Sequence, residues 1–255
     1  MDRLTIIKVG GKVVEEPESL NALLNQFVKI SGYKLLVHGG GRAATDMASR
    51  LGLESRMVEG RRITDEAMLE VVTMVYGGLV NKKIVAGLQA RGCNAVGLTG
   101  ADLDLIRATK RPVGEIDYGF VGDVRDINSR ELRALINENV IPVLAPLTHD
   151  GQGILLNTNA DTIASEMAIE LSSYFNIYLF YCFEKRGVLK NPDDENSVVF
   201  ELDAQLFNLY KEEGIISAGM IPKLDTGFRA KRNGVKEILI TNAENIATGR
   251  GTRLM

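Results

Sequence analysis

Two short apolar runs, each ending in glycine, constrain this chain more than any other feature. Leu4 to Val9 leads straight into Gly10-Gly11, and Lys34 to His38 leads into Gly39-Gly40-Gly41. Runs of five or six mostly apolar residues bounded by glycine read as buried strands, and a helical pattern follows each turn. After the first, Leu20, Leu23, Leu24, Phe27 and Val28 recur at helical spacing between Pro17 and Gly32; after the second, a helix is expected from Arg42 to Leu51. This alternation is the pattern of a parallel sheet with helices on its faces. Open sheets of that kind gather ligands at the carboxyl ends of their strands, where both glycine runs fall. Glycine admits a ligand close to the backbone, and the N–H groups of a helix start favour anions. The two runs therefore read as anion cradles, with plain tight turns as the alternative.

The alternation continues along the chain. Met57 to Ile63 reads as an irregular hairpin or loop, and Asp65 to Arg91 as one long helix that tolerates Gly77-Gly78. Strands are expected at Asn94–Leu98, Leu105–Thr109, Val140–Ala145, Ile154–Asn157 and Ile177–Phe183, with Glu237–Thr241 as the last. Pro142 places its strand near an edge or an end. A further hairpin is expected between Val113 and Ile127, and helices at Ser129–Asn139, Asn159–Ser172, Asp203–Glu213 and Gly219–Asn233. The fold class is α/β: a three-layer α/β/α sandwich around a mainly parallel open sheet. With 255 residues it suits one continuous sheet with two lobes, 1–175 and 176–255.

Charge and cysteine content then exclude several functions. Thirty Lys and Arg against 33 Asp and Glu leave a net charge of −3, with no excess that would suit nucleic acid or a membrane surface. Two distant cysteines, Cys93 and Cys182, exclude a disulfide framework and a CxxC metal knuckle, and two histidines, His38 and His149, argue against a His-based zinc site. No metal ligands are assigned. The start carries no apolar stretch of signal-peptide length, so a cytoplasmic protein is expected.

Nucleotide templates fit poorly. A P-loop ending at Lys12 needs glycine where Ile6 stands and Ser or Thr where Val13 stands. Gly39-Gly40-Gly41-Arg42-Ala43-Ala44 matches a dinucleotide fingerprint, but Leu51 to Ile63 offers no strand ending in a ribose-binding acid. The charged residues say more. Lys8 lies inside an apolar strand, where an inward ammonium is costly unless an anion meets it; the alternative is an exposed lysine at the strand end. Lys223 lies at a helix start behind Gly219. Asn157-Thr158-Asn159-Ala160-Asp161 joins a strand to a helix, a place where Asn159 can equally be a simple N-cap. Two lysines and two glycine cradles suit phosphoryl transfer, which needs positioning and positive charge more than covalent chemistry. Only His38 and Asp161 near the loops offer a base, and a carboxylate acceptor, ionised above about pH 4.3, needs none.

Five motifs in order then carry a family resemblance: Ile6-Ile7-Lys8-Val9-Gly10-Gly11, Val37-His38-Gly39-Gly40-Gly41, Gly60-Arg61-Arg62-Ile63-Thr64, Asn157-Thr158-Asn159-Ala160-Asp161 and Gly219-Met220-Ile221-Pro222-Lys223. They resemble the motifs of the acetylglutamate kinases, within the amino acid kinase family, from Leu4 to Leu254. The resemblance implies ATP with Mg2+, an N-acyl-L-glutamate phosphorylated on its γ-carboxylate, and a step in arginine biosynthesis. It implies Lys8 and Lys223 at the transition state with Asp161 orienting them. Gly40 and Gly41 would hold the carboxylate and the moving phosphoryl group, Arg62 the α-carboxylate, and Asn157 and Asn159 the acylated amino acid. Gly10 and Gly11 would meet phosphates, and Glu184, Gly187, Leu189, Ser217, Gly219 and Met220 the nucleotide. The N-terminal lobe would take acylglutamate and the C-terminal lobe ATP. Glu184 and Lys185 depart from the family's usual Asp and apolar residue in the adenosine loop.

Two expectations follow. The first is a homodimer without arginine feedback, since the first strand begins by Leu4, with Met68, Val72, Val75 and Leu79 of the long helix supplying an interface. The second concerns Arg61, which stands where relatives carry an apolar residue. It is either a bystander or a reader of an extra carboxylate, as in N-succinyl-L-glutamate. A non-catalytic binder on the same fold is the alternative from another class.

Overall fold

The computed structural model describes residues 1–58, 60–216 and 219–255. In chain order the strands are β1 (Arg3–Val9), β2 (Tyr33–His38), β3 (Met57–Val58), β4 (Arg61–Arg62), β5 (Ala95–Leu98), β6 (Ile106–Lys110) and β7 (Gly122–Ile127). They continue with β8 (Ile141–Leu144), β9 (Leu147–His149), β10 (Leu155–Asn157), β11 (Asn176–Phe183), β12 (Glu201–Leu202), β13 (Glu237–Asn242) and β14 (Thr252–Leu254). The main sheet has eight strands in the order β12-β14-β13-β11-β1-β2-β8-β5. Every neighbouring pair is parallel except β13 with β14. A four-stranded sheet, β10-β9-β6-β7, and the β3-β4 hairpin lie beside it.

β1 is central and pairs with β2 on one side and β11 on the other. Its side chains alternate between two cores, as a strand's period of two requires. Leu4 and Ile6 join Leu35, Val37, Ile163, Met167, Leu224 and Phe228 on one face. Ile7 and Val9 join Leu36, Met68, Val72, Tyr76 and Ile84 on the other. The first face is covered by the helices Ala160–Leu171 and Ile221–Arg232, the second by the long helix Glu66–Gln89.

Several sequence expectations are corrected here. Glu237–Thr241 is not the last strand: β14 follows and adds antiparallel to β13, and three residues between glycines and the terminus are too few for periodicity to reveal. β9 was likewise too short to find. The Val113–Ile127 hairpin is instead β6 pairing with β7 across the intervening loop. Pro142 is the second residue of β8, which lies inside the sheet between β2 and β5, so the strand end and not the edge accommodates it. The helix expected from Pro17 to Gly32 ends at Phe27, and a separate turn, Gly11–Glu15, precedes it. Gly32 occupies a left-handed turn with φ 78°, which glycine adopts without strain.

The long helix is 24 residues, and its centre, Thr73–Val80, is π-helical. By length and composition it would cross a membrane, yet here it serves as a core helix. Of the residues expected at an interface, Met68, Val72 and Val75 are buried in that core, and only Leu79 is exposed. The helix has a second apolar face of its own at Met74 and Leu79, 54% and 42% exposed.

Candidate active site

The strand period explains why Lys8 meets its partners. As an even position of β1 it shares a face with Leu4 and Ile6, under the two helices that begin at the carboxyl end of the sheet. Asp161 lies in the first turn of one, and Lys223 in the first turn of the other. Lys8 Nζ is 2.8 Å from Asp161 Oδ1, and Lys223 Nζ is 3.0 Å from Asp161 Oδ2. One carboxylate thus bridges two ammonium groups from opposite ends of the sequence. The anion that the buried Lys8 requires is Asp161.

The electrostatics follow from burial. Desolvation pulls Lys8 below the ordinary lysine value, Asp161 pulls against it, and Lys223 adds to the lowering. For Asp161, burial pushes upward, and the charges of Lys8 and Lys223 more than offset it, so the carboxyl stays below its usual range. Phe183, at the end of β11, was not singled out in the sequence. Its ring lies 5.0 Å from Lys8 Nζ and 5.2 Å from Lys223 Nζ, within cation–π range of both. The signal for it was its position, the carboxyl end of a parallel strand beside β1.

Three clefts bear on the site, and Lys8 and Lys223 line the second of them. The first is lined by Gly40, Gly41, Arg61, Arg62, Asn157 and Asn159, with Tyr76 and Arg111. The second is lined by Lys8, Gly10, Gly11, Lys12, Phe183, Glu184 and Lys223. The third is largely apolar in its walls, with Gly187, Val188, Leu189, Ile215, Ile216 and Met220. Gly11 joins the first two: a Cβ there would come within 3.4 Å of the Gly40 and Gly41 nitrogens. Among the described residues neither of those two N–H groups meets a protein acceptor, as expected of amides at a helix start.

Arg62 is buried and donates to the Gly41 carbonyl at 2.6 Å, to Thr45 Oγ1 at 2.9 Å and to Ser55 Oγ. Asn157 Nδ2 donates to Thr64 Oγ1 at 3.0 Å. Asn159 is the N-cap: its Oδ1 accepts from the Asp161 N–H at 2.8 Å and the Thr162 N–H at 3.1 Å. The simple capping reading of Asn159 is therefore realised, and the cap holds Asp161 in place while its amide NH2 remains for the cleft. Glu184 forms an exposed ion pair with Lys12 at 2.9 Å. Gly187 packs tightly against β14, where a Cβ would fall 2.6 Å from Thr252 Oγ1. Gly10 lies under Phe183, and Gly219 and Met220 precede the Lys223 helix. Ser217 lies outside the described residues.

Among the described residues no three His, Cys, Asp or Glu side chains cluster as metal ligands. Both oxygens of Asp161 are engaged by lysines, and Glu184 is paired with Lys12. The donor set does not amount to a protein cage for Mg2+, which keeps waters and phosphate oxygens as ligands in such sites.

The profile of the amino acid kinase family matches residues 3–242. The chain belongs to the amino acid kinase family. It is 60% identical over 254 residues to the acetylglutamate kinase of Parabacteroides distasonis, covering 100% of both chains. Among solved structures it is similar to smu.665 from Streptococcus mutans UA159, with a TM-score of 0.82, 26% identity and 99% and 98% of the two chains covered. Carbamate kinase from Giardia lamblia shares the fold at a TM-score of 0.73 and 14% identity, with 99% and 98% covered.

Proposed function

We propose that this chain transfers the γ-phosphoryl group of ATP to the γ-carboxylate of N-acetyl-L-glutamate, the acetylglutamate kinase reaction of arginine biosynthesis. The observation that carries the reading is the Lys8–Asp161–Lys223 triad set against free glycine amides, in a chain that matches acetylglutamate kinases over its full length. MgATP is the phosphoryl donor, with Mg2+ entering as part of that substrate. The γ-carboxylate is ionised at neutral pH and attacks the γ-phosphorus directly. A carboxyl O–P bond forms, the bond to the β,γ-bridging oxygen breaks, and that electron pair leaves with ADP. Lys8 and Lys223 meet the charge on the transferring oxygens from two sides, and the Gly40 and Gly41 amides hold the third, as positioned donors do in phosphoryl transfer.

In this reading residues 1–175 bind the acylglutamate and 176–255 the nucleotide. Gly10 and Gly11 face the phosphates. Glu184, Gly187, Leu189, Gly219 and Met220 surround the nucleoside, and Ser217 is assigned to it from the sequence alone. Two free thiols and the use of ATP support a cytoplasmic setting. A homodimer is also part of the reading. It rests on the apolar groove that Met74 and Ile154 line at 54% and 45% exposure, and light scattering is expected to give twice the chain mass. The deciding experiment supplies MgATP with N-acetylglutamate or free glutamate and traps the acyl phosphate with hydroxylamine. ADP and hydroxamate are expected from the first and not the second; no ADP from either makes the chain a non-catalytic binder.

Arg62 gives a prediction for the acceptor side. Arg62→Ala is expected to raise KM for N-acetylglutamate by roughly 10- to 150-fold, the range of a lost charge-assisted hydrogen bond, with KM for ATP nearly unchanged. Steady-state kinetics with each substrate varied checks it.

A second reading concerns the acyl group. Arg61 lines the acceptor cleft beside Arg62, together with Arg111, which pairs with Asp123. Acetyl gives a second arginine nothing to bind, whereas the carboxylate of N-succinyl-L-glutamate suits a planar guanidinium. On that reading Arg61→Leu lowers kcat/KM for N-succinylglutamate by roughly 10-fold or more and leaves N-acetylglutamate unaffected. Equal effects on both substrates leave acetyl as the acceptor group.

A further inference from the structure

His38 precedes the glycine loop and has no part in the reaction as derived above. It is the last residue of β2 and, by the strand alternation, faces the long helix with Leu36. It is fully buried, and burial lowers its pKa to about 4 despite the opposing pull of its bond to the Gly39 carbonyl. It is therefore a weak base, buried and outside the lining of the three clefts, which removes it as the general base.

Its surroundings instead fix one tautomer. Asn81 Nδ2 lies 2.9 Å from the Val143 carbonyl and 3.2 Å from His38 Nε2. Asn81 Oδ1 accepts from Lys82 Nζ at 3.1 Å. A carbonyl can only accept and an ammonium can only donate, so the orientation of the Asn81 amide is set by its partners. Its NH2 then donates to Nε2, and the ring proton must be on Nδ1. Nδ1 is 2.7 Å from the Gly39 carbonyl oxygen and donates to it. The neighbourhood is shaped for this relay: Gly97 leaves the space, since a Cβ there would fall 1.8 Å from Asn81 Oδ1.

The Gly39 carbonyl belongs to the same planar peptide unit as the Gly40 N–H, and in a trans unit the two point in opposite directions. Holding one aims the other. The loop is also packed by the π-helical segment, whose Tyr76 ring would lie 3.0 Å from a Cβ at Gly40. Asn81 follows immediately after that segment, so a helical irregularity of the kind found near functional sites delivers both contacts.

We propose that His38 and Asn81 are positioning residues that aim the Gly40 N–H at the transferring group, a role that rests on the kinase reading above. Asn81→Leu keeps the volume and removes the donor; kcat is expected to fall on the order of 10- to 100-fold, the scale of a misplaced catalytic donor, with KM for ATP within about threefold. The His38 variants separate aiming from packing. In His38→Asn the amide NH2 takes the place of Nδ1 and can still reach the Gly39 carbonyl. In His38→Gln the side chain reaches Asn81 instead and abandons Gly39. His38→Asn is expected to retain at least about fivefold more kcat than His38→Gln at similar Tm. Should the buried variants not fold, Lys82→Met at an exposed position tests the same relay, with a kcat loss of a few-fold expected. Equal kcat for the two His38 variants, or an unchanged kcat in Asn81→Leu or Lys82→Met, overturns the proposal. An inactive wild-type protein would overturn the kinase reading itself.

Discussion

Lys8→Ala and Lys223→Ala are each expected to lower kcat by on the order of 10²-fold or more, the scale of losing one electrostatic stabiliser in a preorganised site. KM for ATP should change only a few-fold, because the ammonium groups act most strongly where charge develops on the transferring oxygens. The two losses should not add. Both lysines share the Asp161 carboxylate at 2.8 and 3.0 Å, and groups that share one partner act as a unit. Single-turnover kinetics separates the chemical step from binding and product release. A kcat within a few-fold of wild type in either variant would remove that lysine from the transition state.

Asp161→Asn is expected to do comparable damage by a different route. The substitution keeps the shape and removes the negative charge between two ammonium groups. Lys8 is then buried with Lys223 beside it and no counter-ion, which in comparable buried pairs costs about 3–5 kcal/mol. Its pKa, already lowered by burial, falls further. Two pH effects follow. The basic limb of the kcat profile moves to lower pH, because the protonated lysine is lost sooner. Stability of the variant rises with pH through the folded pKa of Lys8, because the unfolded chain there binds more protons than the folded one. Thermal melts at several pH values check the second effect. A variant whose Tm deficit is constant across pH would show that Asp161 does not serve as the counter-ion.

Much of this arrangement is legible in the sequence where a local rule applies. A glycine run after an apolar strand is local, and so is an N-cap, which is why the Lys8 strand, both glycine loops and Asn159 are found without a structure. Lys8 is also betrayed by its apolar neighbours, since a charge among them demands a partner. The partner itself is settled only by strand alternation combined with helix placement. Tyr76 and Asn81 illustrate what local pattern cannot show: both read as ordinary positions of a long helix, and their importance lies in what the π-helical stretch places against Gly40 and His38. The short strands β9 and β14 escape for a simpler reason, because three residues carry no period. Of the four long-helix residues expected at an interface, Met68, Val72 and Val75 fill the core, while Leu79 stays outside with Met74.

The central place of β1 has a consequence for how the chain is made. β1 is synthesised before the other strands of its sheet but is paired along all seven of its residues with β11, which begins at Asn176. At ~5–20 residues per second its free edge waits on the order of 10–30 s for that partner. Lys8 is without Asp161 for most of the same interval. A nascent chain stopped before Asn176 therefore presents an unsatisfied edge on a strand that is buried from Leu4 to Val9 in the finished fold, the surface that chaperones shield and that invites pairing with other chains. The strand that carries Lys8 waits for β11 and the triad waits longer still, for Lys223, so the site is assembled late in synthesis.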